Sequence, residues 1–442
     1  MIPDPPDTIP ATPLDQFNVA LDAISDQTMR LVLLFDGKLD AGRLMDACVD
    51  LVNAVPVLGS RFVAAETAYW EPLGTVTGDA LLFVCESDDS DRDLHRLLAR
   101  PINTHDGPQV RIDLIRHATD TVCISVHHAV TDARGLLAAG FLLATLYREP
   151  ETPILKTGEA AGSSRSLAPV LAGISGPVTV PAPAEGNSFT GWAFPSRTND
   201  CTTRGFVIRT LSPAHLAAIK RYAKDRNVTI NDILLAAYFL ALCDRIQPGP
   251  GEKRPILLSI DLRRYLPVTT MPGNQNNQEF HTADEISNQS VAFDVLLPTG
   301  FSSLDEIVES VAEEMRGHKE NTPGIASALD TESLAQDGYA AFCRRVAEMQ
   351  VLAVSTGNEA PMLGNIGIIR KDLLIFSPDI PVSNAYIAGI VIYPPGIGMG
   401  VSTFCDQITL SIGYCRNAIT DHDMEQFIDS IVRYLPGNTS DS

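Results

Sequence analysis

Three features are scarce in this chain of 442 residues, and each scarcity excludes something. Positive charge is the first. Thirty-three Lys and Arg stand against 54 Asp and Glu, a net charge of −21. So acidic a surface repels phosphate backbones and anionic lipid, which excludes nucleic acid and a membrane surface as expected partners. Paired cysteines are the second. None of the eight cysteines has CxxC spacing, and several sit inside apolar runs, such as Cys123 in TVCISV and Cys243 in LLAAYFLALC. Buried thiols in a reducing compartment are expected, rather than metal ligands or disulfide bridges. Long apolar runs are the third. The longest, GLLAAGFLLATL from Gly135 to Leu146, is too short to span a bilayer. The opening MIPDPPDTIP has neither the basic nor the apolar region of a secretion signal. A cytoplasmic protein without a membrane span is the expectation. A GxSxG nucleophile elbow and a GxxxxGK[ST] phosphate loop are also absent from the sequence.

What is present is ample material for a core: 45% of the residues are hydrophobic and 20% charged. The length exceeds what one hydrophobic core usually organises, so two domains are expected. Between about Glu151 and Thr203 the chain turns to Ser, Pro, Gly and Ala with little period of either kind. The expected division is therefore an N-terminal lobe over 1–155, a connection over 156–203 and a C-terminal lobe over 204–442.

Both halves mix strand and helix signals, which makes the fold class α/β. Strands are predicted at Arg30–Phe35, Ala80–Cys85, Val110–Arg116 and Thr121–Val126, and helices at Asp40–Ala54 and Gly135–Arg148. In the second half Ser212-Pro213 opens a helix to Lys224, and Thr229 with Asp232 has cap spacing before an apolar helix to Arg245. Strands follow at Pro255–Leu262, Ile366–Ile369 and Ile387–Tyr393, with a hairpin of Gly400–Phe404 and Gln407–Tyr414. Helices are read at Leu304–His318, Tyr339–Val354 and Asp421–Leu435.

The stretch that carries chemistry is SVHHAVTDARG, Ser125 to Gly135. Two adjacent histidines end a strand, and a loop with an acid leads into an apolar helix. A neutral imidazole at a sheet end can project into a crevice and take a proton from an alcohol or amine. Adjacent strand histidines point to opposite faces, which argues against both ligating one metal ion with Asp132.

This stretch resembles the HHxxxDG signature of the condensation-domain superfamily, which joins peptide-synthetase condensation domains to polyketide-associated, alcohol and chloramphenicol acyltransferases. Further segments match in family order: AVPVLGSRF (Ala54–Phe62), INTHDGPQVRIDLI (Ile102–Ile115), NVTINDILLAAYFLAL (Asn227–Leu242), SIDLRRYLP (Ser259–Pro267) with Gly273-Asn274 after it, MLGNIGII (Met362–Ile369) and VSTFCDQITLSIGY (Val401–Tyr414). Together they run from Ala54 to Tyr414.

The resemblance implies two chloramphenicol-acetyltransferase-like α/β sandwich lobes in a V, with a tunnel at their interface. It implies acyl transfer from a coenzyme A or carrier-protein thioester to an alcohol or amine, with no tightly bound cofactor and no metal. The partners implied are a small-molecule acceptor and an acyl carrier protein, with the chain acting as a monomer. His128 would be the general base and His127 an orienting neighbour. Asp132 would pair bidentately with Arg263 and fix the loop. Asn365, Ser402 and Thr403 are candidates to line the tunnel, each weighed against a packing or bulge role. The chain departs from the signature at Ala133, where the family has glycine, and it lacks both the DFGWG motif of plant alcohol acyltransferases and the tyrosine-rich segment of synthetase domains. The two missing motifs favour a free-standing acyltransferase. A degenerate member that binds or scaffolds, and a hydrolytic use of the same site, stand as alternatives. Arg204, Lys220, Arg221, Lys224 and Arg226 are read as a solvated helix face rather than a phosphate-binding patch.

Overall fold

The computed structural model describes residues 8–150, 165–174, 191–266 and 285–437. Most of the expected connection 156–203 and the polar segment Gly273–Asn277 lie outside these residues.

Two sheets organise the chain. The first has five strands in the order Val382–Ala388, Thr28–Phe35, Asp120–His127, Val110–Arg116, Leu82–Glu86. The second has six, in the order Ser290–Pro298, Lys253–Asp261, Met362–Ile368, Gly398–Phe404, Gln407–Cys415, Arg204–Leu211. Pairing is mixed: Leu82–Glu86 runs parallel to Val110–Arg116, Met362–Ile368 runs parallel to both of its neighbours, and the other ladders of the two sheets are antiparallel.

Strand alternation explains how the sheets stack. In Thr28–Phe35, Leu31, Leu33 and Phe35 join the core under the helices Ala41–Ala54 and Ala133–Arg148, while Val32 joins the core shared with the second sheet. Asp120–His127 divides the same way, Val122, Ile124 and Val126 to one side and Cys123 to the other. A sheet buried on both faces needs nearly continuous apolar strands, which is why RLVLLF and TVCISV read as unbroken runs. The second core wraps the helix Ile230–Ile246, whose residues from Ile233 to Leu242 are all buried. Thr229 and Asp232 form its capping box.

The first sheet is not built from the first half of the chain alone. Val382–Ala388 pairs antiparallel with Thr28–Phe35, so the sheets cross the expected 1–155 and 204–442 division. The outer edge of that strand meets the closing hairpin: the Ile387 amide donates to Ser402 Oγ (3.2 Å) and Ser411 Oγ donates to the Ile387 carbonyl (2.9 Å). Two serine hydroxyls thus satisfy backbone groups that an edge strand would leave open.

Some elements differ from expectation. The strand predicted at Ile387–Tyr393 breaks at Gly389, and Val391–Ile392 pairs instead with Ser25–Asp26. The strand predicted from Ala80 starts as the short helix Gly78–Leu81. The helices Pro13–Ala20, Ser90–Leu98 and Ile325–Ala335 and the strand Ser290–Pro298 had no sequence reading. Thr12 and Asp15 form a capping box ahead of the first of these, a signal that the proline-rich opening masks. Among the described residues no single helix is long and apolar enough to cross a membrane.

Candidate active site

The strand Asp120–His127, the central one of the first sheet, delivers the two histidines to its C-terminal end, where they separate. The His127 ring is buried and its Nε2 lies 3.0 Å from Asp22 Oδ1. The Ala129 amide donates to His127 Nδ1 at 3.1 Å, so Nδ1 carries the lone pair and Nε2–H faces Asp22. His127 is thereby spent on the scaffold. His128 is one residue past the strand and partly exposed. Its amide donates to the Gln27 carbonyl at 2.8 Å, and Asn288 Nδ2 donates to its carbonyl at 3.0 Å and lies 3.3 Å from its Nδ1. The Ser290 amide donates to Asn288 Oδ1 at 3.2 Å, which fixes which end of the Asn288 amide faces the histidine.

The loop behind His128 is tied down from three directions. Arg165 Nη1 donates to the Val130 carbonyl (2.8 Å) while its Nη2 pairs with Asp15 Oδ1 (2.8 Å). The Asp132 amide donates to the Ser287 carbonyl at 3.2 Å. Asp132 Oδ2 accepts from Arg263 Nη1 (2.7 Å) and from the Gln289 amide (2.8 Å), and its Oδ1 accepts from the Gly135 amide (2.9 Å) as the cap of the helix Ala133–Arg148. The contact with Arg263 is therefore a single bond rather than a bidentate pair, because the second oxygen is committed to the helix end. Arg263 turns its other donors to Asp261 and to the carbonyls of Glu285 and Ser287. Burial alone would raise the Asp132 pKa, but the charge and hydrogen bond of Arg263 and the two amides outweigh it and hold the carboxyl below its ordinary value. Asp132 is a fixed anion in this arrangement, with its oxygens turned to the loop and not to His128.

Ala133 opens the helix with ordinary backbone geometry, so this loop uses no left-handed residue at the signature's glycine position. The constraint falls two residues later. A Cβ on Gly135 would stand 2.0 Å from Thr131 Oγ1 and 3.0 Å from the Glu285 carbonyl. Gly135 is required for close approach.

Two clefts open where the sheets meet. The inner one, about 90 Å³, is lined by His128, Met29, Ser411 and a largely apolar wall. The outer one, about 430 Å³, is lined by Arg134, Asp261, Glu285 and Arg370 together with Phe141 and Leu137. Ala133, Ser259, Ser290 and Ile366 line both, so the clefts adjoin. Burial lowers the His128 pKa from the usual histidine value, more than its own carbonyl and Asp132 raise it. The imidazole is thus held toward its neutral, proton-accepting form. Glu285 is shifted the other way: burial raises it, and Arg134 and Arg263 offset this only in part.

The other sequence candidates fall in different places. Asn365 lines the outer cleft and also forms the bulge, its Oδ1 accepting from the Gly367 amide (3.1 Å) and its Nδ2 donating to Asn231 (3.2 Å). Ser402 takes the packing role weighed for it: its buried hydroxyl accepts from the Ile387 amide, and it lines neither of these two clefts. Thr403 also lines neither and pairs through its backbone with Ile368 and Ile408. The basic residues do not form one patch: Arg204 pairs with Asp26, Lys220 with Asp406 and Arg226 with Asp305. Gln27, Asn288, Arg165, Asp22, Ser259 and Ser290 had no reading as site residues. Their signal is spatial: Asp22, Gln27 and Asn288 meet the two histidines across more than a hundred residues of chain.

No protein-family model matches the chain. Over 162 residues it is 28% identical to Surfactin synthase subunit 2 of Bacillus subtilis, a match spanning 34% of this chain and 4% of that protein. Solved structures match nearly all of it. Trichothecene 15-O-acetyltransferase of Fusarium sporotrichioides superposes with a TM-score of 0.69 at 14% identity, covering 97% of this chain and 93% of the other. The first condensation domain of the calcium-dependent antibiotic synthetase gives 0.62 at 14% identity, covering 97% and 96%. Polyketide synthase associated protein 5 of Mycobacterium tuberculosis gives 0.62 at 13%, covering 97% and 98%. The chain has the α/β fold of the condensation domains and of their chloramphenicol-acetyltransferase-like relatives.

Proposed function

We propose that the protein is an acyltransferase that moves an acyl group from a thioester to an alcohol or amine, with His128 as general base. The observation that carries this reading is a partly exposed imidazole, lowered in pKa, facing a crevice between two sheets on a loop held by Arg263, Arg165 and Asn288. The neutral imidazole of His128 accepts the proton of the attacking hydroxyl or amine. The nucleophile then adds to the thioester carbonyl, and the protonated imidazole returns the proton to the departing thiolate. Ser259 and Ser290, which line both clefts, are proposed as the hydroxyls that meet the developing oxyanion. The donor is proposed to be coenzyme A or a carrier-bound phosphopantetheine, as the resemblance implies, and it acts as a cosubstrate. Asp132 and Arg263 hold the loop and take no proton.

The test is incubation of the purified protein with acyl-coenzyme A and acyl-phosphopantetheine donors over a panel of alcohols and amines, reading free thiol and acylated product by mass. Thiol release that requires an acceptor is expected. Release at the same rate without acceptor would replace transfer by hydrolysis, and no acylated product with any pair would overturn the reading.

A further inference from the structure

The inner cleft differs in character from the outer one. Its wall is Met29, Met362, Met399, Ile387, Ile390 and Ile392, whereas the outer cleft carries Arg134, Asp261, Glu285 and Arg370. An apolar wall beside a general base suits the hydrocarbon part of an acyl group, each buried methylene adding about fourfold to affinity. A cleft bearing charges of both signs suits the polar acceptor or the pantetheine arm. The inner volume, about 90 Å³, is smaller than the roughly 150 Å³ of an enclosed apolar cavity that takes up benzene, which favours an acyl group of about two to four carbons over a longer one.

Four glycines line that wall, and they are not equivalent. A Cβ on Gly398 would stand 2.9 Å from Ile392 Cδ1, and one on Gly400 would stand 3.0 Å from Ser411 Oγ. A Cβ on Gly364 meets only Ser259 Oγ at 3.5 Å, and one on Gly389 meets nothing within 4 Å. Neither Gly364 nor Gly389 has a left-handed backbone, so the main chain at either position accepts an L residue and its Cβ. Gly389 also sits where the predicted strand breaks, between Val382–Ala388 and Val391–Ile392. We infer that the inner cleft is a subsite for a short, apolar acyl chain, and that Gly389 and Gly364 set its length by leaving the space that a side chain would fill. The inference rests on the acyl-transfer reading and specifies its donor.

The test uses two readouts. Turnover is measured with acetyl, butyryl and octanoyl donors in the wild-type protein and in Gly389→Val. Binding is measured in both by calorimetry with phosphopantetheine thioethers carrying ethyl, butyl and octyl groups, which need no turnover. The wild type is expected to prefer four carbons over eight by at least about tenfold, and Gly389→Val to lower the butyryl-to-acetyl ratio by at least about tenfold, with the butyl thioether weakened in parallel. Equal affinity for all three thioethers in both proteins would overturn the subsite, whatever the turnover. Length-selective binding without turnover by any donor would uphold the subsite and overturn acyl transfer.

Discussion

Replacing His128 by Gln is expected to lower acyl-transfer turnover by about 10²–10⁴-fold, the range a positioned general base supplies. Folding should be nearly untouched, with unfolding free energy moving by less than about 0.5 kcal/mol. The imidazole is partly exposed, and the contacts that hold residue 128 in place run mostly through its backbone, to the Gln27 carbonyl and from Asn288 Nδ2. Glutamine keeps a polar side chain of similar length but has no basic nitrogen at neutral pH. Turnover within a factor of three of wild type, with the right acyl donor, would remove His128 from the chemistry.

Asp132→Ala carries the largest expected loss of stability, about 3–5 kcal/mol, read from urea unfolding monitored by circular dichroism. Three bonds end on its two oxygens, from Arg263, Gln289 and Gly135, and the side chains of Asp132 and Arg263 are 3% and 7% exposed. The variant leaves a buried guanidinium with Asp261, whose side chain is 33% exposed, as its remaining carboxylate, and it uncaps the helix Ala133–Arg148. The cap alone is worth about 1 kcal/mol. Adding Arg263→Leu should recover part of the loss, because the second change removes the unpaired charge rather than a contact. A second effect separates positioning from bulk structure. Asp132 raises the His128 pKa through its charge, so any activity left in the folded variant should persist to lower pH than in wild type.

How much of this was legible follows from how local each signal is. The caps at Ser212 and at Thr229 with Asp232 are written within four residues, and the helices begin there. The membership of Val382–Ala388 in the first sheet is not local at all: it depends on Thr28–Phe35, some 350 residues earlier, offering an unpaired edge. The apolar run from Ile387 to Tyr393 hides its own break, because Gly389 takes part in no strand and Val391–Ile392 answers to Ser25–Asp26. The site divides similarly. The motif singled out His128 and Asp132, the SIDLRRYLP segment added Arg263 through the resemblance, and the structure puts Asp132 and Arg263 in contact. Arg165 was read as part of a Pro-, Gly- and Ser-rich connection, yet it is buried and bonds to Asp15 and to the loop after His128. A buried arginine has no periodicity to betray it. Ser402 shows the converse, a hydroxyl whose residue type suits catalysis but whose hydrogen bond is already spent on a strand edge.

The pH dependence of kcat/KM for acyl transfer tests the central claim most directly. A neutral imidazole is the active form, and burial lowers its pKa, so activity should be fully present at neutral pH and fall as pH drops through a single midpoint below about 6.5, the usual histidine value. That limb should vanish in the residual activity of His128→Gln. A rate that is flat from pH 5 to 8, or a limb retained unchanged in the variant, would contradict the account.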